Sequence, residues 1–170
     1  MTTAAEVREV LAHVTDPEIP VITIEDLGIL REVEVDGEAV TVTITPTYSG
    51  CPAMDEIRAD VRSALADAGW TDVTVRTVLS PAWTTDWMSE DGRRKLRAYG
   101  IAPPSVRAAG PVLVQLGAPP PRRSQQVLDV ACPRCDSHDT EQLTRFASTS
   151  CKSLWRCRAC REPFDHFKDH

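Results

Sequence analysis

Long hydrophobic runs are missing from this chain of 170 residues. No stretch approaches the roughly 20 consecutive apolar residues that a bilayer-spanning helix needs, so no membrane span is expected. The opening Met1-Thr-Thr-Ala-Ala-Glu6 lacks the basic and apolar segments of a secretory signal, which points to the cytoplasm. Histidine is scarce: of four, only His13 lies in the same half as Cys51. A cysteine nucleophile needs a positioned base, usually histidine, so an enzyme built on that thiol has little support. Excess positive charge is also lacking. Residues 1–100 carry 9 Lys/Arg against 18 Asp/Glu, and residues 101–170 carry 10 against 7, within a net charge of −6. The acidic body repels phosphate and the tail has no concentrated basic patch, so nucleic acid is not an expected partner. Arg156, Arg158 and Arg161 keep a nucleic-acid-binding zinc-ribbon regulator as an alternative reading. There are no internal repeats.

What the chain does have is sulfur in two separate places. Five of its 6 cysteines lie near the end, as Cys132-Pro-Arg-Cys135, Cys151 and Cys157-Arg-Ala-Cys160. Without export, thiols stay reduced, and paired CxxC motifs indicate a metal site rather than disulfides. The 21 residues between the pairs slightly exceed the usual spacer, which a longer hairpin absorbs. Each CxxC turns two sulfurs toward one ion, and two such turns supply the tetrahedron of thiolates that zinc favours. Cys132, Cys135, Cys157 and Cys160 are therefore the expected ligands of a structural zinc, with an iron–sulfur cluster as the alternative occupant. Cys151 and His138 are expected to be spare rather than substitute ligands, and His13, His166 and His170 to be surface residues. About 40 residues build too small a core by themselves, so the ion carries much of the folding energy.

Hydrophobic periodicity predicts an α+β fold ahead of that module. Residues 3–14 read as a helix, with Thr3 and Glu6 as a capping box and a stop at Asp16-Pro17. Residues 29–36 and 38–45 alternate around the turn Asp36-Gly37 and predict a hairpin. Residues 52–68 predict a second helix with Pro52 in its first turn, and 72–79 a third strand parallel to the second. The result is a small three-stranded mixed sheet with helices on one face, in the order α-β-β-α-β. Residues 81–99 are expected to continue as a helix in which Trp83 and Trp87 share a face. A Pro-rich linker follows at 105–126, with a short strand at 112–116. Ribbon strands are expected at 140–146, 153–156 and 162–167. This divides the chain into a domain at 1–104, the linker, and a zinc-ribbon-like domain at 127–170.

The sixth cysteine, Cys51, stands in Thr47-Tyr48-Ser49-Gly50-Cys51-Pro52, directly before the second predicted helix. Helix N–H groups and the helix dipole there favour a thiolate, so Cys51 is expected to be reactive or metal-handling. Asp16-Pro-Glu18-Ile-Pro20 and Asp26-Leu-Gly28 place further carboxylates in loops, where spacing alone suggests helix termination and solvation.

These residues also carry a family resemblance. Asp16-Pro-Glu-Ile-Pro, Asp26-Leu-Gly and Thr45-Pro-Thr-Tyr-Ser-Gly-Cys51-Pro resemble the small iron–sulfur assembly domain of SufT-like proteins. Leu79-Ser-Pro-Ala-Trp-Thr-Thr-Asp-Trp87, Gly92 to Pro104, and Ser148-Thr-Ser-Cys151-Lys-Ser-Leu-Trp-Arg-Cys157 through Lys168 resemble the PaaD (PaaJ) subunit family of phenylacetyl-CoA ring epoxidase systems. The resemblance spans nearly the whole chain apart from the linker. It implies a non-catalytic accessory subunit in aerobic phenylacetate degradation, helping to mature the metal centres of the oxygenase and reductase subunits. Cys51 matches the family's cluster- or iron-handling thiol, and Asp16 and Glu18 match its acidic motif. A single such thiol completes a cluster only with ligands from elsewhere, which admits a homodimer. The ribbon would then dock the target through Trp155, Phe164 and Phe167. The alternative is a purely structural or docking subunit with inert thiols.

Overall fold

The computed structural model describes residues 3–104 and 129–168. Helix α1 (Ala4–Leu11) starts at the expected capping box, in which the Thr3 hydroxyl accepts from Glu6 N–H and the Glu6 carboxylate accepts from Thr3 N–H. It ends earlier than residue 14 because the following chain pairs with itself. Ile24 N–H donates to the Val14 carbonyl and Asp16 N–H to the Ile22 carbonyl, making a bridged loop between helix and sheet.

Strands β1 (Leu30–Asp36) and β2 (Ala39–Ile44) form the antiparallel hairpin, and β3 (Val73–Thr77) joins β2 in parallel after helix α2 (Met54–Asp67). The order is β1-β2-β3. Alternation sends Val33, Val40, Val42 and Ile44 inward, where they share one core with Val7 and Leu11 of α1 and Ile57, Val61 and Leu65 of α2. This is the expected mixed sheet with helices on one face.

Residues 81–99 do not form one helix. A single 3-10 turn covers Thr85–Trp87, and α3 (Glu90–Tyr99) begins only after Ser89, whose hydroxyl accepts from Gly92 N–H. Tertiary contacts separate the two tryptophans. Trp83 is buried and its indole N–H donates to the Leu27 carbonyl at 2.8 Å, whereas Trp87 lies under the Arg31 guanidinium. Gly28 makes the tight approach possible. Its φ is +72°, and a Cβ there would stand 2.5 Å from the Trp87 carbonyl oxygen. Asp26, in the same loop, anchors α3 by accepting from Ser89 Oγ at 2.8 Å and Lys95 Nζ at 2.6 Å.

The second sheet runs β4-β7-β6-β5, with β4 (Ile101–Ala102), β5 (Thr140–Thr144), β6 (Lys152–Cys157) and β7 (Pro163–Phe167). Its last three strands form the expected antiparallel ribbon. Strand β4 lies before the expected linker, yet it pairs in parallel with β7. The linker and its expected strand at 112–116 lie outside the described residues.

The two sheets share a joint. Phe167 and Cys151 belong to the first core, and the Phe167 ring packs 6.1 Å from the Trp83 ring. A second core behind the ribbon gathers Ala102, Val130, Trp155 and Phe164. Among the described residues, no helix is long and apolar enough to cross a membrane.

Candidate metal centres

The two CxxC turns are built alike. Cys132 N–H donates to the Ser137 carbonyl and Cys157 N–H to the Glu162 carbonyl, so each chain curls around its first sulfur. Asp136 and Arg161, each four residues after the first cysteine of its pair, take left-handed φ values of 60° and 66°. The turns bring all four Sγ atoms within 4.8 Å of one another. Cys132 and Cys160 Sγ stand 3.8 Å apart, and Cys135 and Cys157 Sγ 3.5 Å apart. Four sulfurs placed about 2.3 Å from one ion in a tetrahedron stand about 3.8 Å apart, so these residues fit a single tetrahedral ion. Backbone N–H of Cys160 lies 3.5 Å from Cys157 Sγ and helps pull that thiol down to about 7, whereas Cys135 and Cys160, crowded by the other sulfurs, are pushed up.

Neither suggested substitute is in this group. His138 is exposed and pairs with Asp129 at 2.6 Å. His13 is a surface residue with Nδ1 3.0 Å from the Glu9 carbonyl, as expected. His166 is not. It is buried beside Trp155, with Nδ1 3.4 Å from Ser153 Oγ, because β7 turns its side chain inward. His170 lies outside the described residues. Trp155, Phe164 and Phe167, expected as a docking surface, are likewise buried, at 5%, 4% and 1% exposure. They fill the ribbon core and the joint, which a module this small needs them to do. Arg156 and Arg158 both pair with Glu141, which neutralises much of the local positive charge.

The second thiol site sits where β2 leaves the sheet. The chain turns through Tyr48 to Cys51, with Cys51 N–H donating to the Tyr48 carbonyl at 3.2 Å. Helix α2 starts at Met54 with Ala53 as its N-cap, two residues later than Pro52 would set it. Cys51 is half-buried. Burial pushes its thiol up, and Glu18 and Asp16 nearby push the same way against the N–H groups of Ala53 and Met54. Burial is the largest of these influences and opposes the thiolate that a helix terminus favours.

The bridged loop carries Asp16 and Glu18, whose charges act on Cys51. Buried Asp16 Oδ1 accepts from Glu18 N–H at 2.8 Å and Ile19 N–H at 2.9 Å, a turn that holds Glu18 in place. Burial raises the Asp16 carboxyl above its ordinary value. A third element completes the surroundings. Cys151, at the start of β6, is 5% exposed, and its Sγ lies 3.7 Å from Glu18 Oε2 and 3.1 Å from Thr149 Oγ1. Burial, followed in weight by the Glu18 and Asp16 charges, pushes its thiol up to about 11, with the Thr149 hydroxyl working the other way. The Ser150 side chain, next to Cys151, is near enough to act on the Tyr48 hydroxyl. Spacing gave no reason to join Cys151 to this site. The one signal was its place in the long motif 148–157, outside either CxxC pair.

Comparison with known proteins agrees with this two-part construction. The family described as iron-sulfur cluster assembly protein matches residues 4–77, and the PaaD zinc beta ribbon domain matches residues 117–168. A protein of Escherichia coli (strain K12) named as a subunit of 1,2-phenylacetyl-CoA epoxidase is 47% identical over 163 residues, covering 96% of this chain and 91% of its own. The Fe-S protein maturation auxiliary factor SufT of Staphylococcus aureus (strain USA300) is 44% identical over 78 residues, 45% of this chain and 88% of that one. A solved DUF59 domain from Bacillus anthracis superposes with a TM-score of 0.52 at 28% identity, over 55% of this chain and 90% of that chain. With its assembly-type sheet, its four-cysteine ribbon and 47% identity to the Escherichia coli protein over nearly the whole of both chains, this chain belongs to the PaaD family of phenylacetyl-CoA epoxidase subunits.

Proposed function

We propose that this chain is a non-catalytic accessory subunit of a phenylacetyl-CoA epoxidase system in the cytoplasm. It holds iron or an iron–sulfur cluster briefly at Cys51 and passes it to the oxygenase or reductase subunits during phenylacetate degradation. The single observation that carries this reading is the position of Cys51: half-buried, in the turn between β2 and α2 of the assembly-type sheet, with the Glu18 and Asp16 charges near enough to act on it. Two carboxylates give a negative potential that draws a cation. Sulfur binds borderline metals yet exchanges with another thiolate, which suits transient holding. The four-cysteine ribbon would hold zinc as a fixed structural ion, since its donors are all thiolates.

The test is reconstitution of the oxygenase and reductase from apo-protein with ferrous iron and sulfide, in the presence of wild-type chain or Cys51→Ser. The variant is expected to lower iron incorporation by roughly tenfold or more, the usual scale for disturbing a metal site. Unchanged iron content and activity would favour the purely structural subunit.

A further inference from the structure

The two CxxC turns place a charged residue at the same backbone position and use it differently. Asp136 and Arg161 take left-handed φ values of 60° and 66°, a strain that glycine would avoid. Asp136 pairs with Arg97 of α3 and so ties the ribbon to the first module. Arg161 is exposed and has no acidic partner among the described residues. Residues 105–128 contain no Asp or Glu to supply one. Strain kept at an exposed charge without such a partner is what a contact made outside the chain would explain.

Arg161 does not stand alone. With Arg156, Cys157 and Arg158 it lines an open cleft of about 290 Å³. Glu141 holds two of these arginines in place, Oε1 accepting from Arg156 Nε at 2.9 Å and Oε2 from Arg158 Nη2 at 2.9 Å. Asp139 Oδ1 lies 3.5 Å from Arg158 Nη1. Three guanidiniums therefore face two carboxylates, and the Arg161 fork is left over. Such a fork matches a carboxylate two bonds at a time. Nucleic acid fits less well, because it demands that several phosphates be neutralised together, and a single surplus cation beside an acidic first module does not do so.

We propose that this cleft docks an acidic segment of a partner subunit, with Arg161 pairing to its carboxylate and Arg156 and Arg158 framing it. This rests on the accessory-subunit reading and adds which face of the ribbon meets the partner, in place of the buried aromatic residues. An exposed ion pair acts mainly on how fast partners meet and on which partner is accepted, which suits contact that must be made and released. A use internal to the ribbon, offsetting the negative charge of a metal held by four thiolates, would instead make metal retention depend on Arg161.

The test immobilises the full-length chain with its ribbon filled by zinc and follows association of the purified oxygenase and reductase subunits from low to high salt. Wild type is expected to bind at least one of them, more slowly as salt rises. Arg161→Glu should slow association roughly tenfold or more at low salt, with the gap closing at high salt. Arg161→Gly should slow it less, Arg161→Lys should stay nearest to wild type, and all three should keep their zinc. Equal rates in Arg161→Glu and wild type would overturn the proposal while leaving the subunit role standing. Binding of neither subunit by wild type would overturn both. Zinc loss from Arg161→Glu would assign the arginine to the metal instead, and tighter binding of wild type to a mixed-sequence RNA than to either subunit would assign the cleft to nucleic acid. Cys51→Ser should associate like wild type, so the reconstitution above judges iron handling separately.

Discussion

Arg161 holds a backbone conformation that its side chain disfavours. Its φ of 66° lies in the left-handed region, where an L-residue other than glycine costs roughly 1–2 kcal/mol. Its side chain is exposed, so Arg161→Gly removes the strain at little loss. The variant is expected to raise the ribbon's resistance to zinc extraction by roughly 1 kcal/mol, read as slower metal loss to a competing chelator. Asp136 shares the geometry but pairs with Arg97 of α3, so the same change there should gain less. Asp26 gives a pH-dependent counterpart. Burial works against its charge, but hydrogen bonds from Lys95, Ser89 and Thr23 hold its carboxyl below the ordinary value. Its contribution is therefore complete above the unfolded carboxyl pKa of about 4 and is lost as pH falls through the lower folded value. Thermal melts should show Asp26→Asn less stable than wild type by about 1–3 kcal/mol near neutrality, with the gap closing in acid. A gap independent of pH would argue that geometry rather than charge matters there.

Among the elements, the loop 26–28 and α3 are fastened by close backbone approach rather than by helical propensity. Gly28→Ala would place Cβ against the Trp87 backbone and also force a residue into a positive φ, so a loss of about 2–3 kcal/mol is expected. The urea midpoint checks it. Trp83 and Phe167 join the sheets from opposite modules, and truncating either opens a cavity at the joint. Phe167→Ala should cost about 3–5 kcal/mol and increase proteolytic cleavage between the modules. Trp83→Phe should cost less, losing the indole hydrogen bond to Leu27 while keeping most of the ring.

For the molecule as a whole, the ribbon is joined to the first core through Cys151 and Phe167. A structural zinc contributes about 10–16 kcal/mol to folding such modules. Stripping it should loosen β6 and β7, and with them Cys151, Phe167 and the pairing of β7 with β4. Iodoacetamide followed by mass spectrometry is expected to label Cys151 slowly in the loaded protein and quickly after chelation. The Cys51 labelling rate should rise alongside it. If Cys151 stays protected once the ribbon sulfurs are free, the joint is held by the first core alone.

The sequence by itself determined what depends on neighbours within a turn or a hairpin. Thr3 and Glu6 set the start of α1, Asp36-Gly37 set the hairpin, and the spacing of Cys132, Cys135, Cys157 and Cys160 set the four-sulfur cluster. Each rests on a period or a local hydrogen bond that a few consecutive residues specify. Tertiary structure alone decided that Trp83 leaves the helix of α3, that Trp155, Phe164 and Phe167 turn inward, and that Cys151 comes to Glu18 from 133 residues away. It also decided that Cys51 is half-buried, which pushes its thiol up against the N–H groups that begin α2. Such contacts follow from how two small cores bury their apolar faces against each other, and no local spacing encodes that packing.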